Sequence, residues 1–113
     1  MPNQSASLDR VFQTLADPTR RAVLERLGRG PASTSELAEP FGMALPSFTQ
    51  HLGVLEQAGL VKSRKAGRVR TWRIAPQPLQ AVEAWVAQQR AQWERRLDQL
   101  DHYLEDLQKE QQA

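Results

Sequence analysis

Between Lys62 and Arg73 the chain places six basic side chains, Lys62, Arg64, Lys65, Arg68, Arg70 and Arg73, with no acidic residue among them. Cations at that density suit a polyanion. Their contacts with phosphates give affinity and salt dependence rather than sequence information. Just upstream, Ala44 to Gln57 has the opposite character, for its one charged residue is Glu56. Once Phe48, Leu52 and Leu55 are assigned to a buried stripe, Leu45, Pro46, Ser47, Thr49, Gln50 and Gly53 remain. Hydroxyls and a carboxamide can hydrogen-bond base edges in a major groove, where Gln suits adenine and apolar atoms suit the thymine methyl. An ordinary solvated helix face would carry Lys and Glu instead. A tip residue such as Arg68 could also enter a minor groove.

The elements that would hold these groups follow from periodicity and capping. Leu8, Val11, Phe12 and Leu15 recur at helical spacing and predict a first helix over about residues 8–16. Asp17-Pro18 starts a second helix, because Asp caps well and Pro fits the first turn. It presents Ala22, Val23, Leu24 and Leu27 and ends at Gly28-Arg29-Gly30-Pro31. Arg20 lies in its first turn, where a phosphate contact competes with helix packing or a local ion pair. Ser33 and Glu36 form a capping-box pattern for a third helix that buries Leu37 and Phe41. A fourth helix starts near Pro46, with Val54 and Leu60 beside its stripe. Val61 to Lys65 and Val69 to Ile74 then read as a hairpin around Ala66-Gly67, with Trp72 and Ile74 on its buried face. From Leu79 a last helix runs to about Lys109 without Gly or Pro.

That pattern predicts a mainly α fold with a small β-hairpin, a winged helix-turn-helix. An unstructured tail is expected over residues 1–7, the DNA-binding domain over 8–76 and a dimerisation helix with a frayed end over 77–113. A chain of 113 residues suits one domain with a modest core. Its net charge of +2 conceals an asymmetry: residues 1–76 hold 11 Lys/Arg against 6 Asp/Glu, and residues 77–113 hold 4 against 7. Only the front is expected to meet a polyanion. Zero cysteines excludes disulfides, thiolate metal sites and thiol redox sensing. No apolar run is long enough to span a bilayer, and no signal peptide is evident, so a cytoplasmic, nucleoid-associated protein without membrane contact is expected.

On the long helix, Trp93, Leu97, Leu100, Leu104 and Leu107 are spaced 4, 3, 4, 3, which is a heptad seam. One helix of that length has too little body to bury the seam against, so a second copy is expected to cover it. The expected dimer interface comprises Leu8, Phe12, Leu15, Val86, Trp93, Leu97, Leu100 and Leu104. A homodimer fits a palindromic double-stranded operator with half-sites about one helical turn apart. Trp85 and Trp93 are read as packing residues rather than the walls of a ligand pocket.

Leu15-Ala16-Asp17-Pro18-Thr19-Arg20-Arg21, Glu36-Leu37-Ala38, Pro46 and the run His51-Leu52-Gly53-Val54-Leu55-Glu56-Gln57-Ala58-Gly59-Leu60-Val61 together resemble the ArsR/SmtB family of bacterial winged-helix repressors. The resemblance covers about residues 8–107, in family order and at family spacing. It implies four helices, a two-stranded hairpin and a fifth helix, dimeric through the first and last helices. It also implies an operator-binding repressor, usually released by an inducer. An effector of unknown chemistry therefore stays open as a partner. The resemblance adds His51 as a packed or DNA-proximal residue of the reading helix. Ala44, Leu45, Gln50 and Gly53 stand where many members carry Ser, Gln, Arg and Lys, so the operator cannot be copied from relatives.

No metal or other cofactor is expected. The family's thiol position offers no Cys, and of its last-helix site only His102, Glu105 and Asp98 are present, the companion pair falling at Gln89 and Ala91. Three or four ligands are needed. A repressor sensing metal through His102 and nearby carboxylates is the variant reading, and a winged-helix adaptor working through protein contacts is the alternative of another class. An enzyme is not expected, because no activated nucleophile, glycine-rich phosphate loop or evident pair of acids is found.

Overall fold

Local chemistry sets the corners. Asp17 caps α2 (Pro18–Leu27) with its carboxylate accepting from the Arg20 backbone N–H at 3.0 Å, and Pro18 opens the helix. The preceding helix, α1 (Gln4–Leu15), begins earlier than its apolar spacing implied. The computed structural model describes residues 4–112, so the segment expected as a tail is helical from Gln4, and residues 1–3 lie outside the described residues. On α1, Val11 and Thr14 are buried while Phe12 is 40% exposed. Thr14 satisfies its hydroxyl by donating to the Arg10 carbonyl at 2.7 Å.

After α2 comes a strand that periodicity missed, β1 (Ala32–Ser33), too short to show any alternation. Ser33 also caps α3 (Thr34–Ala38), with the expected reciprocal box: the Glu36 N–H donates to Ser33 Oγ, and the Ser33 N–H to the Glu36 carboxylate. A 3-10 turn over Glu39–Phe41 ends at Gly42, whose φ of 58° is left-handed. Phe41 is only half-buried, its ring tilted against Phe48 at 5.3 Å.

Next stands α4 (Leu45–Gln57), with Phe48, Leu52 and Leu55 fully buried as its stripe required, and Val54 exposed. It ends in a Schellman motif. Gly59, at φ 76°, donates to the Glu56 carbonyl, and Leu60 reaches back to that of Leu55. That reversal feeds β2 (Val61–Ala66), which pairs antiparallel with β3 (Val69–Ile74). The turn is Gly67-Arg68, one residue later than expected. Gly67 has φ 63° and Arg68 has no positive φ, the pattern of a II′ hairpin. The sheet has three strands in the order β1-β3-β2, with Ala32 opposite Trp72. Trp72 is buried and donates its indole N–H to Thr34 Oγ1 at 2.8 Å.

The chain divides into two units, Met1–Ala81 and Val82–Ala113. The first holds the helices and sheet just described. The second is the continuation of α5 (Gln77–Gln112), a helix with no buried residue. Along it Val86, Trp93, Leu97, Leu100, Leu104 and Leu107 are all exposed. Among the described residues, no helix is long and apolar enough to cross a membrane.

Candidate nucleic-acid interface

Helix α4 turns two faces outward from its buried stripe. Leu45, Pro46, Ser47, Thr49 and Gln50 are exposed. Thr49 Oγ1 donates to the Leu45 carbonyl at 2.8 Å, so its proton is spent within the helix. Gly53 would admit a side chain, since nothing lies within 4 Å of where a Cβ would stand. Packing therefore does not explain a residue that costs about 1 kcal/mol relative to Ala in a helix.

His51 is half-buried and turns toward the start of α2. Its Nδ1 lies 3.3 Å from the Arg20 guanidinium and 3.7 Å from Asp17 Oδ2, and the side chain is 23% exposed. Arg20 is likewise committed: Nε donates to the Thr14 carbonyl at 2.7 Å and a terminal nitrogen to that of Gln13 at 3.3 Å. Arg20, expected as a phosphate contact or a packing residue, is half-buried with these bonds within the protein. Its donors close the end of α1 and reach α4, which makes it a clasp rather than a free cation. His51 is a half-buried member of this cluster. The Arg20 N–H bond holds the Asp17 carboxyl below its ordinary range, with the charges of His51 and Arg20 adding to it and burial opposing. The sequence carried no signal for this cluster, because Arg20 and His51 are 31 residues apart.

The hairpin is split by its pleat. Lys65 and Arg70 share the face that holds Val61, Ser63 and Trp72, whereas Lys62, Arg64 and Arg73 lie on the other. Lys65, Arg68 and Arg70 line a cleft of about 440 Å³ together with Thr49, Gly53 and Glu56 of α4. The basic run is therefore not one uniform patch. Three cations flank α4, and Lys62 and Arg64 stand on the far side of the sheet. Arg70 donates to Ser63 Oγ at 2.8 Å and Ser63 to the Glu56 carboxylate at 3.2 Å, a chain that ties the wing to α4. The register also sets Lys65 directly opposite Arg70, and Lys62 opposite Arg73. Like charges at opposed positions destabilise a sheet, and a polyanion on the α4 side of the wing would relieve the Lys65–Arg70 pair.

His102 sits on α5 with Nδ1 2.8 Å from the Asp98 carbonyl. That contact, then the Glu105 carboxylate, raises its pKa. Among the described residues, no group of three or more His, Cys, Asp or Glu could hold a metal ion.

A buried three-residue stripe on α4 under an outer face uncharged from Leu45 to Gln50, with a basic wing beside it, defines a winged helix-turn-helix DNA-binding protein. Comparison with known proteins agrees. A helix-turn-helix domain family matches residues 15–64. The HTH-type transcriptional regulator Rv2034 of Mycobacterium tuberculosis is 46% identical over 76 residues, covering 67% of this chain and 71% of that protein. The crystal structure of the ArsR family transcriptional regulator RHA00566 is 56% identical, with TM-score 0.78, covering 83% of this chain and 97% of that one. A homodimeric winged helix-turn-helix DNA-binding domain from Mycobacterium bovis, a possible ArsR-family regulator, superposes with TM-score 0.61 at 27% identity, over 74% and 80% of the two chains. The chain belongs to the ArsR family of transcriptional regulators.

Proposed function

We propose that this regulator is a homodimeric, sequence-specific repressor that reads a palindromic operator with α4 and grips the flanking phosphates with its wing. The observation that carries the reading is the cleft in which Lys65, Arg68 and Arg70 stand beside Thr49, Gly53 and Glu56 of α4. In that arrangement Gln50 and Ser47 supply polar contacts to base edges, and the three wing cations supply phosphate contacts. Lys62 and Arg64 serve as outlying charges that attract the duplex at longer range. Residues 8–76 form the reading part and residues 77–113 the dimerisation helix.

Pairing rests on the exposed seam Trp93, Leu97, Leu100 and Leu104, whose heptad spacing matches a second copy of itself. Leu8, Phe12, Leu15 and Val86 complete the expected interface, and the homodimeric Mycobacterium bovis domain supports the assembly. A dimer seated across an operator that overlaps a promoter represses by occupying the groove that polymerase needs. It acts where its operator lies, on the nucleoid in the cytoplasm.

The test is selection from a random duplex pool by the purified protein, with and without a chelator, followed by a reporter driven from the enriched site. Enrichment of a palindrome indifferent to chelation, and reporter activity that falls on expression of the protein, are expected. A pool without enrichment refutes sequence-specific reading; a reporter that rises refutes repression.

A further inference from the structure

The first turn of α4 carries an unusual surface for a DNA reader. A shallow niche of about 400 Å³ is lined by Leu45, Pro46, Thr49 and Gln50 alone. Leu45 is 56% exposed, and neither it nor Pro46 has a polar side-chain atom. Thr49 has given its hydroxyl proton to the Leu45 carbonyl, which removes it as a donor to a base. One carboxamide, that of Gln50, is the side-chain donor left at the rim.

We infer that this niche is a thymine-methyl site: Leu45, Pro46 and Thr49 receive the 5-methyl group of one thymine in each half-site, and Gln50 pairs with an adenine of the same or the neighbouring base pair. The inference rests on the proposed reading of an operator by α4. In the major groove the thymine methyl is the apolar group that distinguishes one base from the others, and adenine offers the donor–acceptor pair that a carboxamide matches. The niche is too small to seat a protein partner, whose interfaces involve some 20–30 residues a side. It is continuous with the outer face of the helix that also bears Ser47 and Gln50, and it has no charge to hold a phosphate. Leu45 thereby becomes the residue that sets specificity at one position.

Duplexes enriched by selection are remade with uracil in place of thymine, one position at a time. The exchange keeps every hydrogen bond of the pair and deletes one methyl group. One thymine per half-site is expected whose replacement weakens binding about fourfold, the worth of one buried methyl. Leu45→Ala and Leu45→Ser, both at an exposed position and checked for an unchanged melting temperature, should each prefer the thymine over the uracil duplex there by less than the unaltered protein does, the serine variant least, because Pro46 and Thr49 still face the methyl. Tolerance of uracil at every position by the unaltered protein overturns the inference. So does retention of the same fourfold preference in both variants. A pool that yields no enriched sequence is a different failure, for it refutes reading by α4 itself.

Discussion

Among single residues, Arg20 separates what the sequence could say from what it could not. Its place in the first turn of α2 was legible, and so was the Asp17 cap beneath it. Its partners were not. The carbonyls of Gln13 and Thr14 and the ring of His51 meet it only once α1, α2 and α4 are packed. Arg20→Ala should cost about 2 kcal/mol of stability, in line with lost hydrogen bonds to a charged group, and denaturant titration reads that loss. The slope of log DNA affinity against log salt should stay as it was; a slope shallower by about one unit would return Arg20 to the phosphate contacts. Asp17→Ala should remove about 1 kcal/mol through the lost cap. The pH dependence follows from the lowered carboxyl. Its stabilisation is fully present above the unfolded value and is lost as pH falls through the folded one. Asp17→Ala should therefore flatten the acid limb of the stability curve, and an unchanged limb would remove the carboxylate from that role. Thr49 illustrates a quieter limit of sequence reading. A hydroxyl on an exposed helix face reads as a donor until its bond to the carbonyl one turn back is seen.

At the scale of elements, most of the fold was written in caps and periods. The Ser33/Glu36 box, the Asp17-Pro18 start, the α4 stripe and the two long strands stand where their residues put them. The two-residue strand β1 and the early start of α1 escaped notice. A pair of residues has no alternation, and the first turn of α1 lies before the apolar spacing begins. The wing was legible as a basic hairpin with a buried face, but alternation alone did not show which of its cations stand beside α4, which follows only from how the hairpin packs on that helix. Register makes a sharp distinction here. Lys65→Ala and Arg70→Ala should each reduce the salt slope by about one unit, whereas Lys62→Ala and Arg64→Ala should each change it by less than half of that. Equal effects from both faces would mean that the duplex does not lie along the α4 side of the hairpin.

For the molecule as a whole, the seam on α5 makes oligomeric state the decisive property. Leu97, Leu100 and Leu104 are exposed on their own helix, so a charge placed among them should act on assembly and leave the winged unit folded. Leu100→Glu is expected to sediment as a monomer and to bind a palindrome at least tenfold more weakly than the unaltered protein. An intact dimer would take α5 out of the interface. The opposed pairs Lys65–Arg70 and Lys62–Arg73 have a consequence for handling as well as for binding. Ions added to the buffer screen both repulsions in the free protein, yet at Lys65 and Arg70 the same ions compete with the duplex. Raising salt from about 50 to 200 mM should therefore lift the melting temperature while affinity falls, and Lys65→Gln should blunt both trends. The medium in which this protein keeps best on the bench would then be the one in which it most readily lets go of its target.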